Sequence, residues 1–209
     1  MFQGRMSKLF VVSLFIVSIM FGISVSYADS PSEEKIDKAW DLYVEGDYNK
    51  ALKLLDEVLS TDSENQEAYY LRGTVYCHLK KYPRAIQDLN KALELDSEDY
   101  MSYNERGDAY YFLHKYEDAL NDYNKAIALD PTEEDYYANR ALVYYTLEQY
   151  TKALVDINKA IELDPNDSYF TDMRDDIKSA MKDGGAVDRD LAERIKASLR
   201  KKSGKRNGA

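Results

Sequence analysis

Two consecutive segments of identical length decide the fold of this chain. Residues 66–99 read QEAYYLRGTVYCHLKKYPRAIQDLNKALELDSED, and residues 100–133 read YMSYNERGDAYYFLHKYEDALNDYNKAIALDPTE. Aligned without a gap, they repeat tyrosine and alanine in the same columns. Extending this register in both directions predicts four units, 32–65, 66–99, 100–133 and 134–167. A fixed period of this length is typical of repeat architectures.

Each unit has the pattern of two helices that pack against each other. A small residue recurs in the first helix, at Ala39, Gly73, Gly107 and Ala141, and another in the second, at Ala51, Ala85, Ala119 and Ala153. Small side chains let two helix axes approach closely. Larger groups at Leu55, Leu89, Tyr123 and Ile157 are expected to fill the space between successive units. Stacking of neighbouring units should therefore provide most of the stability.

The recurring small and aromatic columns resemble the tetratricopeptide-repeat family. The columns include Gly73, Tyr76, Tyr82, Ala85 and Ala92, and Pro131 and Pro165 match the proline that ends the family's repeat. The resemblance covers residues 32–167. It implies an all-α fold, a right-handed α-solenoid of four helical hairpins.

The residues after the fourth unit have two different characters. Phe170, Met173, Ile177 and Met181 recur at helical spacing, which predicts an amphipathic capping helix over residues 168–183. Residues 184–209 combine an apolar stripe with many basic residues, which predicts a basic amphipathic helix that ends in a disordered tail. This segment suits contact with an anionic membrane, binding of nucleic acid, or folding against its own acidic body, and the alternative is a solvated tail without a partner.

The N-terminal residues 1–28 have the features of a secretory signal peptide. Arg5 and Lys8 precede an uncharged apolar run over residues 9–25, and Ser26-Tyr27-Ala28 supplies small residues at a cleavage site between Ala28 and Asp29. We expect export to a periplasmic or extracellular compartment, with residues 29–31 as a short linker. The alternative is an uncleaved run that serves as a membrane anchor.

Charge is distributed unevenly along the chain. The first 28 residues carry +2 and residues 186–209 carry +5, so the total of −10 leaves −17 for residues 29–185. An acidic body repels phosphate groups, and we therefore expect no nucleic acid to bind the repeats. A basic polypeptide would be attracted instead.

An arginine and an aspartate recur on opposite helices of the same hairpin. The pairs are Arg72 with Asp88, Arg106 with Asp122, and Arg140 with Asp156, and the spacing within each pair is the same. We interpret them as structural ion pairs that fix the register of the two helices.

The resemblance also implies that the first helices line a concave groove. The positions that point into it include Trp40, Tyr43, Tyr70, Thr74, Asn104, Asp108, Tyr111 and Tyr145. Exposed tyrosines would suit peptide docking, whereas packing between neighbouring helices is the competing interpretation. Some family members bind a terminal carboxylate through lysine and arginine, but the matching positions here hold Tyr70, Thr74, Glu105, Asp135 and Asn139. We expect no such carboxylate binding.

The sequence contains no catalytic, cofactor-binding or metal-binding motif. Cys77 is the only cysteine and is expected to be buried, and His78 and His114 are expected at the surface. We therefore predict a non-catalytic scaffold that binds a partner protein or peptide in its groove. The alternative is a membrane-anchored assembly factor that self-associates through its repeats.

Overall fold

A computed structural model describes residues 31–182, which form nine α-helices and no strand. The helices are α1 (Pro31–Val44), α2 (Tyr48–Thr61), α3 (Gln66–His78), α4 (Tyr82–Leu95), α5 (Tyr100–Phe112), α6 (Tyr116–Leu129), α7 (Glu134–Thr146), α8 (Tyr150–Leu163) and α9 (Ser168–Lys182). Each helix packs on the next in sequence, which gives an all-α solenoid of four hairpins with α9 as the capping helix.

Several sequence predictions lie outside the described residues. They are the signal peptide 1–28 with its Ala28–Asp29 cleavage site, and the basic segment 184–209. Pro31, predicted as the end of a linker, is instead the first residue of α1. Proline suits a helix start because the first turn leaves its backbone nitrogens unbonded. No helix among residues 31–182 is long and apolar enough to span a membrane.

The turn within each hairpin needs a residue with positive φ. Gly46 adopts it in the first unit with φ of 84°, and Lys80, His114 and Glu148 adopt it with φ of 57–58°. These four positions occupy one column of the repeat. In the second unit the Lys80 amide donates to Cys77 O at 3.0 Å, and the Lys81 amide donates to Tyr76 O at 2.8 Å. This is the Schellman arrangement that ends a helix, and glycine is the residue best suited to it.

The turn between units is built on a recurring aspartate. Asp62, Asp96, Asp130 and Asp164 each follow a second helix, and each carboxylate accepts a hydrogen bond from the backbone amide two residues later, at 2.9–3.3 Å. Aspartate favours this local turn because its short side chain reaches its own backbone. The same turn four times keeps the units in one register.

The small residues of the first helices allow close packing against the second helix of the same unit, as predicted, and the nearest groups there are the large residues that were expected to fill the space between units. A Cβ added at Gly107 would lie 2.8 Å from Tyr123 Cε1, and one at Gly73 would lie 2.7 Å from Leu89 Cγ. The glycines therefore face mainly the large residues of the second helix. At Gly73, the Ala85 carbonyl oxygen is also close, at 3.3 Å.

The capping helix closes the apolar end of the solenoid. Phe170, Met173 and Ile177 of α9 are fully buried and belong to the same core cluster as Ile157 and Leu142. Burial of three large apolar side chains stabilises the end of the stack by several kcal/mol, at about 1.5–3 kcal/mol each. Met181, the fourth residue of the predicted stripe, remains exposed.

Candidate functional site

The four first helices, α1, α3, α5 and α7, form the inner layer of the solenoid. Successive first helices contact each other more extensively than successive second helices do. When the helices of one layer are closer together than those of the other layer, the stack curves toward the closer layer, which becomes its inner side. We call the side of the first helices that faces away from the second helices the concave face.

The four tyrosines predicted as an exposed ladder on this face are buried. Tyr43, Tyr70, Tyr111 and Tyr145 are each exposed by 5% or less. Of the two interpretations, docking by exposed rings and packing between neighbouring helices, their burial supports packing. They are part of the wall of the concave face rather than projections from it.

Two of these tyrosines make the same contact with the next unit. The Tyr43 hydroxyl lies 2.6 Å from His78 Nε2, and the Tyr111 hydroxyl lies 3.3 Å from Thr146 Oγ1. Both pairs are 35 residues apart, one position more than the period. His78 is consequently half-buried rather than at the surface as predicted, whereas His114 is exposed.

The predicted polar residues of the groove are also buried and bonded. Asn139 Nδ2 donates to Asn104 Oδ1 at 2.9 Å, which links α7 to α5. The Tyr123 hydroxyl donates to Asp108 Oδ1 at 2.7 Å, and the Thr74 hydroxyl donates to the Tyr70 carbonyl at 3.1 Å. Buried polar groups require such partners, since an unpaired one costs about 1–3 kcal/mol. The asparagine pair joins two first helices, the Tyr123 bond joins the two helices of the third unit, and the Thr74 bond lies within α3.

Trp40 differs from the tyrosines because it is only half-buried. Its ring packs edge-on against Tyr43, with ring centroids 5.5 Å apart, and lies 6.0 Å from the ring of Tyr70. Trp40 is therefore held by the two tyrosine rings and is still partly accessible to solvent. Such an indole is a typical anchor for a bound polypeptide.

Trp40 bonds directly to a carboxylate of the next unit. Loss of solvent raises the pKa of Glu67 above its ordinary value, and the negative charges of Asp37, Glu33 and Asp99 raise it further. A hydrogen bond from Trp40 opposes that rise. On α1, Asp37 and Glu33 precede Trp40 by about one and two helical turns, so they lie on the same side of the helix as the indole.

A second group of carboxylates lies around Tyr169 of α9. Burial raises the pKa of the Tyr169 hydroxyl, and the charges of Asp135, Asp167 and Asp176 raise it further. In the second unit, the pKa of Tyr70 is likewise raised by burial and by Glu105 and Asp99. Acidic side chains therefore lie close to buried tyrosines both in the repeats and at the cap.

Each predicted arginine–aspartate pair is present as a bidentate bond. In the third unit, Arg106 Nε and Nη2 donate to the two carboxylate oxygens of Asp122 at 2.8 and 2.7 Å. The bonds of Arg72 to Asp88 and of Arg140 to Asp156 have the same geometry at 2.7–2.8 Å. These aspartates are at most 7% exposed.

Every one of these arginines also bonds to the preceding unit, which the sequence analysis missed. Arg72 Nη1 donates to Asp56 Oδ1 at 2.7 Å. In the same way, Arg106 Nη1 donates to Asn90 Oδ1 and Arg140 Nη1 donates to Asn124 Oδ1, both at 2.6 Å. The acceptors recur once in every repeat unit, so the period itself contained the signal. We call each three-residue contact an arginine bridge.

Cys77 and His78 do not form a reactive pair. Cys77 is buried, as predicted, and its Sγ lies 3.7 Å from the Glu105 carbonyl oxygen on α5, whereas His78 points to Tyr43 on α1. Within residues 31–182, no group of three or more His, Cys, Asp or Glu side chains is arranged to hold a metal ion.

Three family models match the chain. Two described as "Tetratricopeptide repeat" match residues 36–100 and 134–167, and one described as "TPR repeat" matches residues 107–148. The matched ranges together cover more than half of the chain. The protein therefore belongs to the tetratricopeptide-repeat family. Comparison with curated protein sequences found no match.

Solved structures share the fold. MamA from Desulfovibrio magneticus RS-1 is 20% identical with a TM-score of 0.65, over 83% of this chain and 95% of that one. YrrB, described as a TPR protein with an unusual peptide-binding site, is 19% identical with a TM-score of 0.59, over 79% and 84%. The first TPR domain of Spaghetti (RPAP3), bound to the HSP90 peptide SRMEEVD, is 27% identical with a TM-score of 0.55, over 57% and 95%.

Proposed function

We propose that this protein is a non-catalytic scaffold that binds a basic segment of a partner polypeptide on its concave face. One observation carries the proposal: the half-buried Trp40 bonds to the exposed Glu67 of α3 and lies one helical turn after the exposed Asp37 of α1. An aromatic anchor provides contact area, and the carboxylates select positive charge.

Two of the structural neighbours support peptide binding as the general activity. YrrB has a peptide-binding site, and the RPAP3 domain was solved with a bound peptide. The RPAP3 ligand SRMEEVD is rich in carboxylates. The corresponding face of this chain is itself acidic, so its ligand should carry the opposite charge.

We also propose that the protein acts outside the cytoplasm. The charge and apolar pattern of residues 1–28 support export, and a mature chain would begin at Asp29. N-terminal sequencing of the protein recovered from its native envelope tests this. A mature chain that starts at Asp29 is the expected result, and a chain that retains residues 1–28 in the membrane fraction would contradict cleavage.

The binding proposal is tested with two synthetic peptides that share their apolar residues. One carries lysine and the other glutamate at every polar position, and fluorescence anisotropy measures their binding to the full chain. We expect binding of the lysine peptide only, and weaker binding as salt rises, because exposed charges are screened.

A double variant, Asp37→Asn with Glu67→Gln, locates the binding site. Exposed ion pairs contribute about 0.2–1 kcal/mol each, so the loss of two should weaken binding of the lysine peptide by about 2- to 30-fold. The matched control, Glu64→Gln with Glu98→Gln, removes two exposed carboxylates from the turns between units. Equal effects of the two variants, or equal binding of both peptides, would contradict the proposal.

A further inference from the structure

We infer that residues 186–202 of this chain are an internal ligand for its own concave face and compete with an external partner. The inference rests on the proposed function, because it assigns a particular basic segment to the same acidic surface. It also adds a form of regulation, since a partner must displace the segment before it can bind.

Charge complementarity is the first argument. Residues 186–202 contain six basic and three acidic side chains, and Val187, Leu191, Ile195 and Leu199 form an apolar stripe beside them. None of the residues at the concave positions of the four first helices is lysine or arginine. Each first helix carries at least one carboxylate, at Asp37, Glu67, Asp108 and Asp135, and residues 29–185 together have a net charge of −17.

The position at which the described chain ends is the second argument. α9 begins beside the acidic group around Tyr169, packs on α8 and ends at Lys182. A helix over residues 186–202 would be about 25 Å long, at about 1.5 Å per residue. This length exceeds that of α9, so a segment that reversed direction after Lys182 would be long enough to reach the acidic group at the start of α9.

The obvious alternative is that this segment forms the second helix of a fifth repeat unit. Arg174 stands one full period after Arg140, and Asp190 follows Arg174 at the spacing of the other arginine–aspartate pairs. Yet Arg174 Nε donates to its neighbour Asp175 at 3.2 Å. Two columns of the repeat are also broken. One period after the alanines Ala92, Ala126 and Ala160 stands Arg194, and one period after the tyrosines Tyr82, Tyr116 and Tyr150 stands Gly184. Ala92, Ala126 and Ala160 are fully buried. A large charged side chain at the equivalent position is unfavourable, so the segment is poorly suited to form that helix.

Tethering makes the segment an effective competitor. A short flexible connection gives an intramolecular ligand an effective concentration of about millimolar. The apparent affinity for an external peptide then falls by the fraction of chains whose face is open.

The test uses the full chain and the labelled lysine peptide. In the tail variant, Arg194→Glu with Arg200→Glu, repulsion from the acidic face should release the segment. The matched control, Lys53→Glu with Lys125→Glu, makes the same change in net charge at exposed positions of two second helices. We expect the tail variant to bind the peptide at least about tenfold more tightly than wild type and control. An unlabelled peptide of residues 186–202 should displace the lysine peptide from the tail variant.

The outcomes separate this inference from the function on which it rests. If all three chains bind the lysine peptide equally, the internal ligand is refuted and the binding function stands. If the 186–202 peptide fails to displace the probe from the tail variant, the inference is also refuted. If no chain binds the lysine peptide, the proposed function fails, and the internal ligand fails with it.

Discussion

Replacing Arg106 with leucine removes the cation of the best-buried arginine bridge. Asp122 is 1% exposed and receives two hydrogen bonds from Arg106, at 2.8 and 2.7 Å. Arg106→Leu leaves this carboxylate charged and buried without its cation. Breaking a buried pair in this way typically costs about 3–5 kcal/mol. The link to Asn90 of the preceding unit is lost as well.

The expected result is a decrease of about 3–5 kcal/mol in the free energy of unfolding, measured by urea titration with far-UV circular dichroism at neutral pH. The difference in free energy of unfolding between wild type and Arg106→Leu should become smaller at acidic pH. Burial already raises the pKa of Asp122, and removal of Arg106 raises it further. A raised carboxyl pKa means that stability is lost as pH rises through it and recovered as pH falls.

Two further variants isolate the cause. The double variant Arg106→Leu with Asp122→Leu should be more stable than Arg106→Leu alone, because it removes the isolated charge. Arg174→Leu is the matched control: it occupies the same column of the repeat, but its ion pair is with the exposed Asp175. It should change stability by less than about 0.5 kcal/mol. A cost below about 1 kcal/mol for Arg106→Leu, or a double variant no more stable than the single, would refute the reasoning.

Three other predictions follow from single positions. Glu148→Gly should raise stability by about 1 kcal/mol in a thermal melt, because Glu148 has a φ of 57° that glycine adopts without strain; an unchanged melting temperature would contradict this. Gly107→Ala should lower the free energy of unfolding in urea by about 1–3 kcal/mol despite the better helix propensity of alanine, because its Cβ would lie 2.8 Å from the buried ring of Tyr123. Wild type should lose stability as pH rises through the raised pKa of Glu67, because the carboxylate then becomes charged. Glu67→Gln cannot ionise, so this loss of stability should be absent from the variant. Parallel pH profiles of wild type and this last variant, measured by urea unfolding, would show that the carboxylate does not titrate as argued.

The arginine–aspartate pairs could be predicted from the sequence alone because the repeat has no gaps. A constant spacing connects the same two helical positions in every hairpin when all units have the same length. The bridges to Asp56, Asn90 and Asn124 were missed because only contacts within one hairpin were considered. Those acceptors form a column of their own, so the same period would have revealed them.

The solvent exposure of Tyr111 and of Trp40 could not be predicted in the same way. Both are large aromatic residues at concave positions of a first helix, yet Tyr111 is 5% exposed and Trp40 is half-buried. The difference depends on what neighbouring helices place beside each ring. A pattern within one helix contains no measure of that distance.

The sequence by itself determined the all-α repeat architecture, the length of each unit and the acidic character of the body. These properties are local or additive, since a fixed period, a helix-compatible pattern and a net charge can be read along one chain. Only the tertiary structure decided which aromatic rings are covered and which carboxylate bonds to Trp40. Burial and electrostatic coupling depend on distances between side chains of different units, and stacking of the units sets those distances.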